Sequence, residues 1–110
     1  MATITPKNLG RGNVAITTGT LLYTVPASTT TYVKCIDVCN TTAADINLTL
    51  HLVPSGGSVA STNMFMNAVT IAAGAMWQWT GTQILATGDF IQGIGSATGL
   101  TINISGGEQV

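Results

Sequence analysis

The chain has 110 residues, 45 % of them hydrophobic, and only seven carry a charge: Lys7, Arg11, Lys34, Asp37, Asp45, Asp89 and Glu108. That is 6 %, against about 25 % in an ordinary soluble domain, and with His51 as the single histidine it excludes most acid–base active sites, so no enzyme is expected. The net charge of −1 excludes the basic stripe that nucleic acid requires, and no run approaches the ~18 apolar residues of a membrane helix.

The first fourteen residues hold two of the three basic side chains, Lys7 and Arg11, among Pro6, Gly10, Gly12 and Asn13. They read as an extended N-terminal arm (1–14) that orders on a partner, ahead of a single domain at 15–110. The start shows no basic region followed by an apolar one, so no secretory leader is expected and the chain is assigned to a reducing cytosol.

Strand signals follow one another. Leu21 to Val25 stops at Pro26, and Tyr32 to Cys39 is rich in β-branched residues. Ala44 to Val53 alternates strictly, with Ile46, Leu48, Leu50 and Leu52 on one face and Asn47, Thr49 and His51 on the other. Pro54-Ser55-Gly56-Gly57 ends it. Met64 to Met66 and Val69 to Ile71 flank Asn67-Ala68. Met76 to Thr80 sets Trp77 and Trp79 on one face, and Gln83 to Leu85 closes at Ala86-Thr87-Gly88-Asp89. Phe90 to Ile94 and the alternating Leu100, Ile102, Ile104 complete about eight short strands. An all-β, single jelly-roll-like antiparallel sandwich is the expected fold.

The residues that hold chemistry elsewhere are sparse here. Cys35 and Cys39 on one strand lie about 13 Å apart, beyond disulfide reach, and His51 alone cannot complete a zinc site. They read as two small buried thiols, and His51 as a solvated imidazole on a polar face. The scattered carboxylates form no glycosidase pair. Gly93-Ile94-Gly95 leads into a strand, so the helix end of a phosphate loop is missing. No catalytic residue, cofactor or metal is expected. Trp77 and Trp79 form an aromatic shelf about 6.6 Å long, suited either to burial in a core or subunit interface or to stacking on a sugar. Met64, Phe65 and Met66 make an adaptable apolar cluster, core or contact. A surface that cannot be clothed in charge suits a protein packed against other protein.

Several phrases resemble small β-sandwich proteins of tailed-phage virions. They are Leu22-Tyr23-Thr24-Val25-Pro26-Ala27, Val33-Lys34-Cys35-Ile36-Asp37-Val38-Cys39-Asn40-Thr41-Thr42, Leu50-His51-Leu52-Val53-Pro54-Ser55-Gly56-Gly57, Gly88-Asp89-Phe90-Ile91-Gln92 and Ile104-Ser105-Gly106-Gly107-Glu108. Within that group the chain is most similar to capsid decoration (cement) proteins. The resemblance implies a structural virion protein, made in the host cytoplasm, that binds the capsid exterior and bridges capsomers. Its implied partners are the major capsid protein and itself, a homotrimer before a dimer, and it carries over no functional residues. The alternative is a capsid or tail module attaching to surface glycans through the Trp77/Trp79 shelf. Candidate interaction residues are therefore Lys7, Arg11, Met64, Phe65, Met66, Trp77 and Trp79.

Overall fold

The computed structural model describes residues 4–14 and 20–110; residues 1–3 of the expected arm and 15–19 at the start of the expected domain lie outside the described residues. The strands are β1 (Ile4–Asn13), β2 (Thr20–Thr24), β3 (Thr30–Asn40), β4 (Ile46–Val53), β5 (Met64–Ile71), β6 (Met76–Leu85), β7 (Phe90–Gly95) and β8 (Leu100–Gln109), with one 3₁₀ turn at Ser61–Asn63.

Antiparallel pairing joins β1 to β8, β2 to β7, β3 to β6 and β4 to β5. The first half of the chain thus runs back along the second half, and this long ladder is rolled into two four-stranded sheets, ordered β1-β8-β3-β6 and β2-β7-β4-β5. That is the jelly-roll arrangement the alternation predicts.

Period two drives the packing. Ile36, Val38, Ile102 and Ile104 cover the inner face of the first sheet, where Ile36 lies beside Ile104 and Val38 beside Ile102. Ile46, Leu48, Leu50, Ile71 and Ile91 cover the facing side of the second. Leu52 continues the β4 row, partly buried against the same core. Gly93 lies opposite Leu50 on β7, and a Cβ there would stand 2.8 Å from a Leu50 methyl. Its missing side chain makes room for the leucine.

Two apparent breaks are bulges. Asn67-Ala68 does not separate strands; it lies inside β5, where the register against β4 shifts between Leu48 and Leu50 and Ala68 takes a φ of 48°. Gly81-Thr82 likewise lies inside β6. A bulge adds a residue without ending the ladder, so it breaks the sequence pattern while the strand continues.

The N-terminal segment differs from the expected arm. Ile4–Asn13 is β1, paired along β8 from Ile4 opposite Gln109 to Asn13 opposite Thr101. Leu9 is its one buried side chain. Pro6, two glycines and a bulge between Asn8 and Gly10 hide the alternation, and an edge strand tolerates a proline whose nitrogen faces solvent.

The end of the sandwich between β3 and β4 is organised by Asn40, which is fully buried. Its Nδ2 donates to the carbonyls of Ala44 (2.8 Å) and Ile71 (2.9 Å), and its Oδ1 accepts from the Thr42 amide (2.9 Å) and hydroxyl (2.7 Å). One side chain therefore satisfies four polar partners where β3, the following loop and β5 meet.

Leu9→Ala separates a strand from a frayed arm. A strand role predicts a loss of about 2–4 kcal/mol, read as a fall of roughly 10–20 °C in Tm by calorimetry; a frayed arm predicts no change. Leu50→Asp, which buries an unpaired charge, is expected to abolish the cooperative transition, and a retained two-state melt would contradict the assigned core.

Candidate functional site

The charges are spent on holding the sandwich together. Tyr23 on β2 reaches across the core with its hydroxyl, which donates to the Glu108 carboxylate on β8 and accepts from Thr31 Oγ1 on β3 at 2.8 Å. Lys7 Nζ on β1 caps the same carboxylate at 3.2 and 3.3 Å. Four strands from both sheets meet in this clasp. Burial pushes the Tyr23 phenol up to about 12, and its hydrogen bond to Glu108 adds to the rise. The Tyr23 hydroxyl, assisted by Lys7 and opposed by burial, holds the Glu108 carboxyl below the usual carboxylate range.

The other carboxylates are also engaged. Asp89 accepts the amides of Ser55 and Ala86 at 2.9 Å each, and Asp45 accepts the amide of Ala73 at 3.0 Å. Asp37 belongs to a row that crosses the outer face of the first sheet, one residue from each strand. Arg11 Nε donates to Asn103 Oδ1 (2.9 Å), Asn103 lies opposite Asp37, and Gln78 Nε2 donates to Asp37 Oδ1 (2.7 Å). The basic pair thus stands on β1, at the opposite edge of the sheet from β6.

The cysteines are free, but the expectation of two buried thiols does not hold: Cys35 is half-buried and Cys39 exposed. Ile36 and Val38 take the inner positions, so the cysteines share the outer face with Asp37. Burial, followed by the Asp37 charge, raises the Cys35 thiol, which works against a reactive thiolate. His51 also departs from expectation. It is buried, with Nδ1–H donating to Asn63 Oδ1 at 2.8 Å. Asn63 in turn donates from Nδ2 to Ser58 O (2.8 Å) and accepts the Ala60 amide (3.1 Å). The loop before β5 therefore folds over the outer face of β4 and covers both His51 and Val53.

The aromatic pair lies at the β6 edge. Trp77 and Trp79 point inward, half-buried against the core. The Trp79 ring meets Phe65 of β5 edge-on, centroids 5.0 Å apart at 88°. A Cβ on Gly81 would stand 2.8 Å from that ring, so glycine lets the indole lie over the bulge. Met66 is core, while Met64 and Phe65 are half-buried at the β5 edge. Outside this cluster β6 exposes Met76 (66 %) and Ile84 (65 %). The structure brings Phe65 and Trp79 together and keeps Lys7 and Arg11 on the far edge. The clasp residues Tyr23, Thr31 and Glu108 and the row residue Gln78 escape sequence reasoning, because strand order alone makes them neighbours.

Depressions mark the surface formed by the described residues. A groove of about 290 Å³ is lined by Ile4, Pro6, Tyr32, Lys34, Thr82, Gly106 and Gly107, with Lys34 Nζ held by Thr82 Oγ1 at 2.6 Å. A hollow of about 80 Å³ lies beside His51 and Val59.

No family model and no curated protein matches the chain. Among solved structures it is similar to a chain of infectious bursal disease virus, Gx strain, with a TM-score of 0.50 and 8 % identity over 99 % of its residues. It spans 31 % of the length of that chain. The likeness is one of fold.

Two outcomes test the clasp. Tyr23→Phe removes the acceptor of the Thr31 hydroxyl and leaves the Glu108 carboxylate to Lys7 alone, and should cost about 1–3 kcal/mol at neutral pH, measured by urea denaturation. The depressed Glu108 contributes stability that is present above its unfolded-state pKa and lost as pH falls through the folded value. The raised Tyr23 contributes below pH 10 and is lost as pH rises toward about 12. Wild type should therefore weaken on both sides, and Glu108→Gln should flatten the acid limb; an unchanged acid limb would remove Glu108 from the clasp.

Proposed function

We propose that this chain is a structural virion protein that binds the exterior of a phage capsid, associates with itself and stabilises the shell by bridging capsomers of the major capsid protein. It acts by contact, without catalysis. The observation that carries this reading is a jelly roll whose scarce charges are turned to internal bonds, Lys7 and Glu108 in the clasp and Arg11 in the outer row. The exposed charges, Lys7, Arg11, Lys34 and Asp45, are few and already hydrogen-bonded within the chain, and they stand among Thr, Ser, Asn and Gly in a surface close to neutral, suited to broad protein contact with little electrostatic steering. The fold likeness to a viral chain agrees with such a role.

Attachment falls to the β1 side of the sandwich. There Lys7, Arg11 and the adjacent groove offer the one basic, partly apolar strip, and β1 is already ordered on β8, so little backbone entropy opposes binding. The glycan reading loses support from the inward direction of Trp77 and Trp79, since stacking on a sugar needs an open ring face.

The test uses virions with and without the protein. Particles lacking it should burst at lower temperature or under milder osmotic shock, and purified protein added back should restore them. Binding should weaken little between low and moderate salt, because few charges take part. Equal robustness of bare and decorated particles would sink the proposal, and a steep salt dependence would replace it with an electrostatic mode of attachment.

A further inference from the structure

A sandwich of two open sheets has four edge strands, here β1, β6, β2 and β5. Unpaired edges invite added strands, and folded proteins guard them with charge, proline, bulges or brevity. Three of these edges are guarded. Strand β1 carries Pro6, Lys7 and Arg11 and a bulge. Strand β2 is five residues long with a register shift after Leu21. Strand β5 is interrupted by two register shifts and the positive φ of Ala68. Strand β6 is different. Its ten residues, Met76 to Leu85, contain no charge and no proline; the bulge at Gly81-Thr82 confines the regular edge to its first half, where Met76 to Thr80 pair with β3 without a shift.

The direction of its backbone follows from that pairing. The Asn40 amide donates to the Ala75 carbonyl at 2.9 Å, and antiparallel hydrogen-bonded pairs recur at every second residue. Trp77 and Trp79 therefore direct their backbone groups to β3. Met76, Gln78 and Thr80 direct theirs to the open side.

We propose that β6 is a homodimer edge, pairing antiparallel with β6 of a second copy about a two-fold axis at Gln78. The segment is built for self-pairing. With Gln78 opposite its own copy, Met76 faces Thr80 and Trp77 faces Trp79, twice. Gln78 and the Met76/Thr80 pairs then exchange backbone hydrogen bonds with the other strand. Trp77 and Trp79 occupy the closer non-hydrogen-bonded positions, where cross-strand aromatic pairs interact best. Both indoles are half-buried at the open side of the core, and the partner strand completes their burial. A two-fold sets residues near their own copies, so any charge near the axis would meet its like. The neutral β6 meets none, whereas β1 would bring Lys7 and Arg11 toward their equivalents. The two first sheets merge into one of eight strands. This inference stands on the purified chain and does not depend on capsid binding.

Sedimentation equilibrium of wild type from about 1 to 100 µM, with two variants, provides the test. Wild type should populate a dimer. Gln78→Lys sets like charges opposite each other and keeps a partner for Asp37, so it should raise the dimer dissociation constant at least tenfold, with an unchanged far-UV spectrum and a melting point that matches wild type at concentrations where wild type is monomeric. Gln78→Cys places the introduced thiols at a hydrogen-bonded pair, about 5.5 Å between Cα atoms and within disulfide range. Mild oxidant should then yield a covalent dimer that wild type, with only Cys35 and Cys39, does not form. A wild type that stays monomeric throughout, a Gln78→Lys chain that dimerises like wild type, or a Gln78→Cys chain that cross-links no better than wild type would each overturn the proposal.

Discussion

Everything in this molecule depends on one constraint: two apolar sheet faces must close on each other in a chain with almost no charge to spare. Ile36, Val38, Ile102 and Ile104 on one side and Ile46, Leu48, Leu50 and Ile91 on the other are all at most 1 % exposed. Burial of this kind is non-directional. It sets neither register nor strand order, and polar groups supply what it lacks. The Tyr23–Glu108–Lys7 clasp ties β2 to β8 and β1, Asn40 fixes the turn between β3 and β4, and Asp89 fixes the turn between β6 and β7. Each is satisfied within the chain, and such directional bonding specifies one arrangement among many that would hide the same leucines and isoleucines.

The same economy shapes the outside. Carboxylates that accept backbone amides or a phenol are poorly placed to repel neighbouring molecules. The surface left over carries few charges, and its edges differ chiefly in how far sequence blunts them. Proline, lysine and arginine protect β1, while β6 offers five regular residues with aromatic rings on the inner face. Under the proposed function, the β1 edge meets a shell and the opposite, β6 edge meets a second copy.

Much of the fold is legible in the sequence, because alternation and fold are the same fact where one face is buried. Ile46 to Leu52 and Leu100 to Ile104 announce their inward rows directly. Legibility fails where the alternation is broken or where a distant segment decides. Strand β1 buries only Leu9 and is held by the backbone of β8, so Pro6 and its glycines read as an arm. His51 sits on a polar row, as expected, but the loop from 54 to 63 folds over it through Asn63, which no local pattern reveals. Cys35 and Cys39 bracket Asp37, a signal for the outer face that outweighs the usual burial of thiols. Of the candidate contact residues, Trp77 and Trp79 are recognisable as a same-face pair. Their place on an unguarded edge follows only from strand order. The clasp is hardest to foresee, since Tyr23 and Glu108 are 85 residues apart.

The most direct test of the whole account is a cryo-electron microscopy reconstruction of the native virion at a resolution that traces strands. The account predicts jelly-roll density on the outer surface of the shell, each sandwich touching more than one capsomer with its β1 side and joined to a second copy through β6. Finding the protein absent from the shell exterior, or present there as isolated copies seated within single capsomers, would contradict it.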